Sequence, residues 1–178
     1  ARKYAFTWQL IEIKNGALVG VNTGLSNRLV LEAIQRKVVN KLKGYSRVRT
    51  EVPYGRENSR IDILLEDEKQ GSCYVEVKNV SLGNFSGEGF FPDSVTIRGQ
   101  KHLKELMLVK ESGARAVLFF CVQHSSVASV APALEIDPTY AKLLRKAQAL
   151  GVELIAYRSK VDLASSTVEL DKELHVKV

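Results

Sequence analysis

Asp62 and the tripeptide Glu76-Val77-Lys78 lie on two strand-like segments, SRIDILLE and CYVEVKNV, joined by a short polar turn. Centring that turn, Asp67 to Gly71, on Lys69 sets Asp62 directly across from Glu76, because the two are equally far from Lys69. Opposed residues in an antiparallel pair have Cβ atoms roughly 4.5–5.5 Å apart, and like charges placed there repel. Lys78, two residues beyond Glu76, points to the same face. A divalent cation between the carboxylates relieves the repulsion most simply. The competing reading is a solvated face of alternating charge. A solvated hairpin would set opposite charges across from each other, and Leu64 and Tyr74 share the carboxylate face, which argues for cover. Ile61, Ile63, Leu65, Val75 and Val77 are expected to form the buried opposite face that specifies the register.

The elements that must hold these residues follow from pattern. Residues 4–13 and 17–21 read as strands joined by Asn15-Gly16, a type I′ hairpin signal. Ser26 or Asn27 caps a helix expected to run to about Leu42, with Leu29, Val30, Ala33, Ile34, Lys37 and Val38 in helical rhythm. A strand over 47–54 precedes the central hairpin. Residues 81–94, with three glycines and a proline, read as a mobile loop. A second helix spans about 95–112 and stops at Gly113, and 114–123 is a nearly continuous apolar strand suited to a covered sheet. Asp137-Pro138 opens a third helix through Leu150; 152–157 is another buried strand, and the tail from Asp162 reads as short edge strands.

Composition bounds the function. The 178 residues are enough for one full core, and 45% hydrophobic with 26% charged content suits a globular protein. No apolar run reaches the roughly 18 residues of a membrane span and no signal peptide is visible, so no membrane partner and a cytoplasmic location are expected. Cys73 and Cys121 fall in apolar runs and read as reduced core residues. Residues 1–60 carry 12 Lys and Arg against 4 Asp and Glu, the remainder 14 against 16, and the formal net charge is +6. That asymmetry points to a polyanionic partner.

The order helix, three strands, helix, strand resembles the core of the PD-(D/E)XK nuclease superfamily, an α/β fold with a mixed sheet flanked by helices. Asp62 takes the place of that superfamily's acid on the second strand, Glu76-x-Lys78 that of the E-x-K on the third, and Glu32 that of an additional glutamate on the first helix. The stretches VNTGLSNRLVLEAI, YGRENSRIDILL, CYVEVKNVSL and FFPDSVTIRGQKHLKEL resemble the sugar fermentation stimulation protein A family through nearly the whole chain. Members of that family carry an N-terminal OB-like domain; the resemblance implies that residues 1–21 are its closing strands and 22–178 the nuclease-like domain. It also implies a nucleic-acid partner, DNA first, and metal-assisted phosphodiester hydrolysis. Asp62 and Glu76 would hold Mg²⁺ or Mn²⁺ with the Val77 carbonyl, Lys78 would orient water or stabilise the phosphate, and Glu32 would supply a further contact. The alternative is a non-catalytic DNA-binding regulator of sugar (maltose) metabolism genes. Nucleases of the superfamily often dimerise, although no heptad or exposed apolar helix argues for a homodimer here.

Further residues extend the candidate site. Arg98, Lys101 and Glu105 fall on one side of the second helix, with Ile97, Leu103, Leu106 and Met107 assigned to burial. Arg98, Gln100 and Lys101 are expected to contact phosphates, as is Arg28, one turn before Glu32, unless it pairs with that carboxylate. Asp93 is a lesser candidate for a metal contact, and His102 and His124 read as isolated histidines. The cysteines lack zinc spacing, His124-Ser125-Ser126 lacks a nucleophile elbow, and the glycines at 83, 87 and 89 form no P-loop.

Overall fold

Strand segments rich in β-branched residues alternate with helices, two of which start on side-chain caps, Thr96 and Asp137. The computed structural model describes residues 5–55 and 59–178. A small antiparallel sheet, β1 (Leu10–Glu12) with β2 (Leu18–Gly20), comes first. It is shorter than the pattern suggested, and Tyr4, the first residue of the expected strand over 4–13, lies outside the described residues. Its turn is not type I′. Of the turn residues only Gly16 has a positive φ (78°), and Gly16 N donates to Ile13 O, which makes a three-residue loop with glycine in the left-handed position.

The remaining elements are α1 (Ser26–Gln35), β3 (Arg47–Tyr54), β4 (Ser59–Asp67), β5 (Gly71–Val80), β6 (Leu82–Gly83), β7 (Glu88–Phe91), α2 (Ile97–Glu111), β8 (Arg115–Val122), β9 (Ser129–Pro132), α3 (Pro138–Ala149), β10 (Glu153–Asp162) and β11 (Thr167–Val176). Nine strands form one mixed sheet in the order β3-β4-β5-β8-β10-β11-β9-β7-β6, with β5, β8 and β10 mutually parallel at its centre. This is a mixed α/β sheet flanked by helices, as expected from the sequence.

Each face carries its own core. Leu29, Val30, Ala33 and Ile34 of α1 pack with Ile63, Leu65, Val75, Val77 and Phe119. On the other face Leu103 and Leu106 of α2 and Tyr140 and Leu144 of α3 pack with Leu64, Leu118 and Phe120. Fully burying one such side chain stabilises by about 1.5–3 kcal/mol. Asp137 caps α3 by accepting from Tyr140 N (2.8 Å), with Pro138 pre-set in the first turn. It also accepts from Thr96 N (3.0 Å) and from the Gln100 amide (3.1 and 3.0 Å), which ties the start of α2 to the start of α3.

Several expectations fail for identifiable reasons. α1 ends at Gln35, not Leu42, because Lys37 turns into the left-handed region (φ 60°) and the chain leaves through a short 3-10 turn at Asn40–Leu42. Ser26 and Asn27 do not cap it: their side chains reach Asn79 and Asp62 instead. Residues 81–94 are not a free loop. They hold β6 and β7, and β7 pairs in parallel with β9. The tail is not made of short edge strands, since β11 is ten residues long and lies between β10 and β9.

Candidate functional site

The central hairpin has the expected register, Ile63 with Val75 through Asp67 with Gly71, but its ladder stops one pair short of Asp62 and Glu76. Continuing that register would set the Ile61 carbonyl against Val77 N–H. Instead Asp62 inserts between the strands, and its Oδ2 accepts from Val77 N at 2.7 Å. On the other side the β3–β4 ladder skips Glu51, which has a φ of 54°. The alternation breaks with it: Ile61 packs on the α2 face, while Ile63, Leu65, Val75 and Val77 pack on the α1 face. The single five-residue buried face expected from the sequence is therefore split at Asp62.

Asp62 Oδ1 accepts from Asn27 Nδ2 of α1 at 2.8 Å, so both oxygens are fixed, and among the described contacts each keeps a free lone pair. Burial and the charge of Glu76 raise the Asp62 carboxyl above its ordinary value, against the hydrogen bonds from Val77 and Asn27. Glu76 is 1% exposed. Burial acts to raise its pKa, but the hydrogen bond from His102 and the charge of Lys78 outweigh it and hold the carboxyl below the usual value. Lys78 Nζ donates to Glu76 Oε1 at 2.8 Å, and its side chain is only 11% exposed. His102 Nδ1 contacts the same Oε1 and lies 3.1 Å from Lys78 Nζ. Glu76 Oε2 is buried with no hydrogen-bond partner among the described residues, and so are the hydroxyls of Tyr54 and Tyr140. Burial and nearby carboxylates, Glu76 among them, push both phenols upward, so they stay protonated.

The other expected residues divide. Arg98 stays exposed at the mouth of this cluster, with Nε 3.4 Å from His102 Nε2. Lys101 is half-buried one turn along. Gln100 is turned away and bound to Asp137. Glu105 is buried, not solvated, and packs where a Cβ on Gly55 (φ 71°) would overlap its carboxylate. Ile97 is 72% exposed rather than part of the core, and Asp93 is exposed.

Glu32 is not brought to the cluster. It lies five residues past Asn27, about 140° further around a helix of 3.6 residues per turn, and its side chain is 52% exposed and paired with Arg36 at 3.1 Å. Arg28 is exposed beside it, lining a cleft of about 730 Å³ with Gln35 and the β10–β11 turn, and among the described contacts it makes no pair with Glu32. His124 is buried against Ser126 Oγ (3.2 Å).

Two acids and a lysine thus meet at the break of the β4–β5 ladder. The sugar fermentation stimulation protein RE domain model matches residues 24–165. The chain belongs to that family. A sugar fermentation stimulation protein homolog of Shewanella loihica is 50% identical over 177 residues, covering 99% of this chain and 74% of that protein. A homolog of Shewanella pealeana is 56% identical over 156 residues, 88% of this chain and 66% of its own length. The solved structure of Pyrococcus furiosus SfsA in complex with Ca²⁺ superposes with a TM-score of 0.85 at 30% identity, covering 95% of this chain and 71% of that one.

In this sugar fermentation stimulation protein family member Asn27, expected only as a helix cap, His102, expected as an isolated histidine, and Tyr54 and Tyr140 had no expected place in the site. His102 had a signal: it stands four residues after Arg98 and three before Glu105, on one stripe of α2. Among the described residues no three His, Cys, Asp or Glu side chains gather as a self-sufficient metal cage. No helix among them is long and apolar enough to cross a membrane.

Proposed function

We propose that this chain hydrolyses phosphodiester bonds of nucleic acid, DNA in the first instance, with a divalent cation held by Asp62, Glu76 and the Val77 carbonyl. The observation that carries it is the buried Glu76 Oε2, without a partner among the described residues, beside Asp62 and Lys78. An all-oxygen set with only two carboxylates suits Mg²⁺ or Mn²⁺, which keep waters and take substrate oxygens. The Ca²⁺ in the Pyrococcus relative is in keeping with such a set. When bound, the cation would lower the pKa of a coordinated water and offset charge on the phosphate.

The protein's own groups do the remaining work. Lys78, held on Glu76 and nearly buried, would donate to the phosphate oxygens as their charge grows. Arg98, exposed at the mouth, and Lys101, one turn along α2, would take flanking phosphates. Gln100, bound to Asp137, would act only by holding α2 in place. Glu32 and Arg28 take no part in this reading.

The test is cleavage of labelled single- and double-stranded DNA and RNA with Mg²⁺, Mn²⁺ or EDTA. Folded Glu76→Ala and Lys78→Ala proteins run alongside. Cutting that needs metal and is lost in both variants is the expected result. Salt-sensitive binding without cutting, unchanged by either substitution, would overturn it in favour of the non-catalytic regulator.

A further inference from the structure

We infer that His102 is the positioning residue for Glu76. In an Nδ1–H tautomer set by Arg98, it holds one carboxylate oxygen and turns the other toward the cation. The inference rests on the cation reading above and adds to it a residue of α2 that neither the acid pair nor the lysine implies.

The contacts around the ring leave one consistent pattern of hydrogens. Arg98 Nε carries a hydrogen and lies 3.4 Å from His102 Nε2, so Nε2 offers its lone pair. The remaining ring hydrogen is then on Nδ1, where it meets Glu76 Oε1. The opposite tautomer would set two N–H groups against each other at Arg98. It would also press the Nδ1 lone pair against the carboxylate oxygen, two acceptors in direct contact. With Nδ1–H, Glu76 Oε1 receives both that hydrogen and one from Lys78 Nζ (2.8 Å), which fills its two lone pairs. Lys78 Nζ lies 3.1 Å from Nδ1 because both donors converge on the same oxygen. What is left of the carboxylate is Oε2, buried and without a partner among the described residues.

The ring is held by more than packing. It is 5% exposed and sits on a helix whose first turn is pinned twice. Thr96 Oγ1 accepts from Gly99 N at 3.0 Å, and Asp137 holds both Thr96 N and the Gln100 amide. Asp137 in turn caps α3. The line from α3 through Asp137 to α2 thus fixes where His102 stands over β5. Groups that orient a metal-binding side chain in this way typically change metal affinity by 10–100-fold when removed.

The chain has three histidines, so ring nitrogen spectra of ¹⁵N-labelled protein resolve them, and the signal missing from His102→Asn assigns His102. The expected spectrum is Nδ1–H in the metal-free parent. Mn²⁺ titration by calorimetry follows on the parent and on His102→Asn, His102→Gln and His102→Leu, each checked by its unfolding midpoint. The Asn amide places N–H near Nδ1, so His102→Asn should bind Mn²⁺ nearly as the parent does. His102→Gln and His102→Leu should bind about 10–100-fold more weakly. An Nε2–H ring in the parent, or a folded His102→Leu protein that binds Mn²⁺ as tightly as the parent, overturns the role of His102 alone. A parent with the Nδ1–H ring that binds no Mn²⁺ overturns the cation reading and this role with it.

Discussion

Two polar clusters are buried on opposite faces of β5, only a few residues apart, and they differ in charge and in completeness. On the α1 face Gln123 Nε2 donates to Asn79 Oδ1 (2.7 Å) and Ser26 Oγ (3.1 Å), and Ser26 Oγ donates to Asn79 Oδ1 (2.9 Å). That cluster is neutral, and each of its members is hydrogen-bonded. On the α2 face Glu76, Lys78 and His102 are charged or ionisable, and Glu76 Oε2 has no partner among the described residues. A satisfied neutral network specifies how α1 sits on the sheet. A buried carboxylate with a free oxygen destabilises the fold unless something else binds it. The first cluster is thus architecture, and the second is where chemistry is expected.

The largest expected effects come from the charged cluster. Lys78→Ala should reduce cleavage on the order of 10²–10³-fold while leaving Mn²⁺ binding in place, because the lysine acts on the phosphate. Glu76→Ala should abolish both. Calorimetry beside the cleavage assay separates the two, and equal loss of cation binding in both variants would break the division of labour. Gln123→Leu should do the reverse. It removes the two hydrogen bonds that Gln123 makes, leaving only Ser26 to Asn79, and should lower unfolding stability by about 1–3 kcal/mol, read from urea midpoints, with Mn²⁺ affinity unchanged.

Asp62 gives a smaller, pH-dependent effect. Its folded pKa lies above the ordinary 3.8, from burial first and Glu76 second. An acid raised in the folded state weakens the fold as it ionises, so its contribution falls as pH climbs through that range. Without metal, Asp62→Asn should gain stability relative to the parent between acid and neutral pH, as measured by urea unfolding across the range. A gap that stays constant with pH would show that neither burial nor Glu76 raises this carboxyl. The smallest effect is expected from Glu32→Ala, which removes an exposed pair with Arg36 and should change stability by less than about 0.5 kcal/mol. Cleavage should be unaltered, and a large loss would restore Glu32 to the site.

The fold was readable in the sequence where one residue type has one job. The apolar run of β8, Asp137-Pro138 at the head of α3, and Gly113 after α2 all stand where their chemistry put them. The hairpin register was readable too, but not the break at Asp62. Period-two alternation says nothing about a side chain that leaves its face to replace a backbone hydrogen bond. Glu32 was misplaced for a related reason: spacing along a helix gives its angle only once one residue is anchored, and the anchor is Asn27 on Asp62. His102 was readable as a stripe with Arg98 and Glu105, yet its role depends on Glu76, twenty-six residues away in sequence. β9 and the inner place of β11 come from long-range pairing that local pattern does not encode.

The most direct measurement is anomalous diffraction from crystals soaked in Mn²⁺. A single strong peak bounded by Asp62, Glu76 and the Val77 carbonyl is the predicted result. A peak at Glu32 or at the Ser26–Asn79–Gln123 cluster, or none in crystals of a protein that cleaves, would contradict the account.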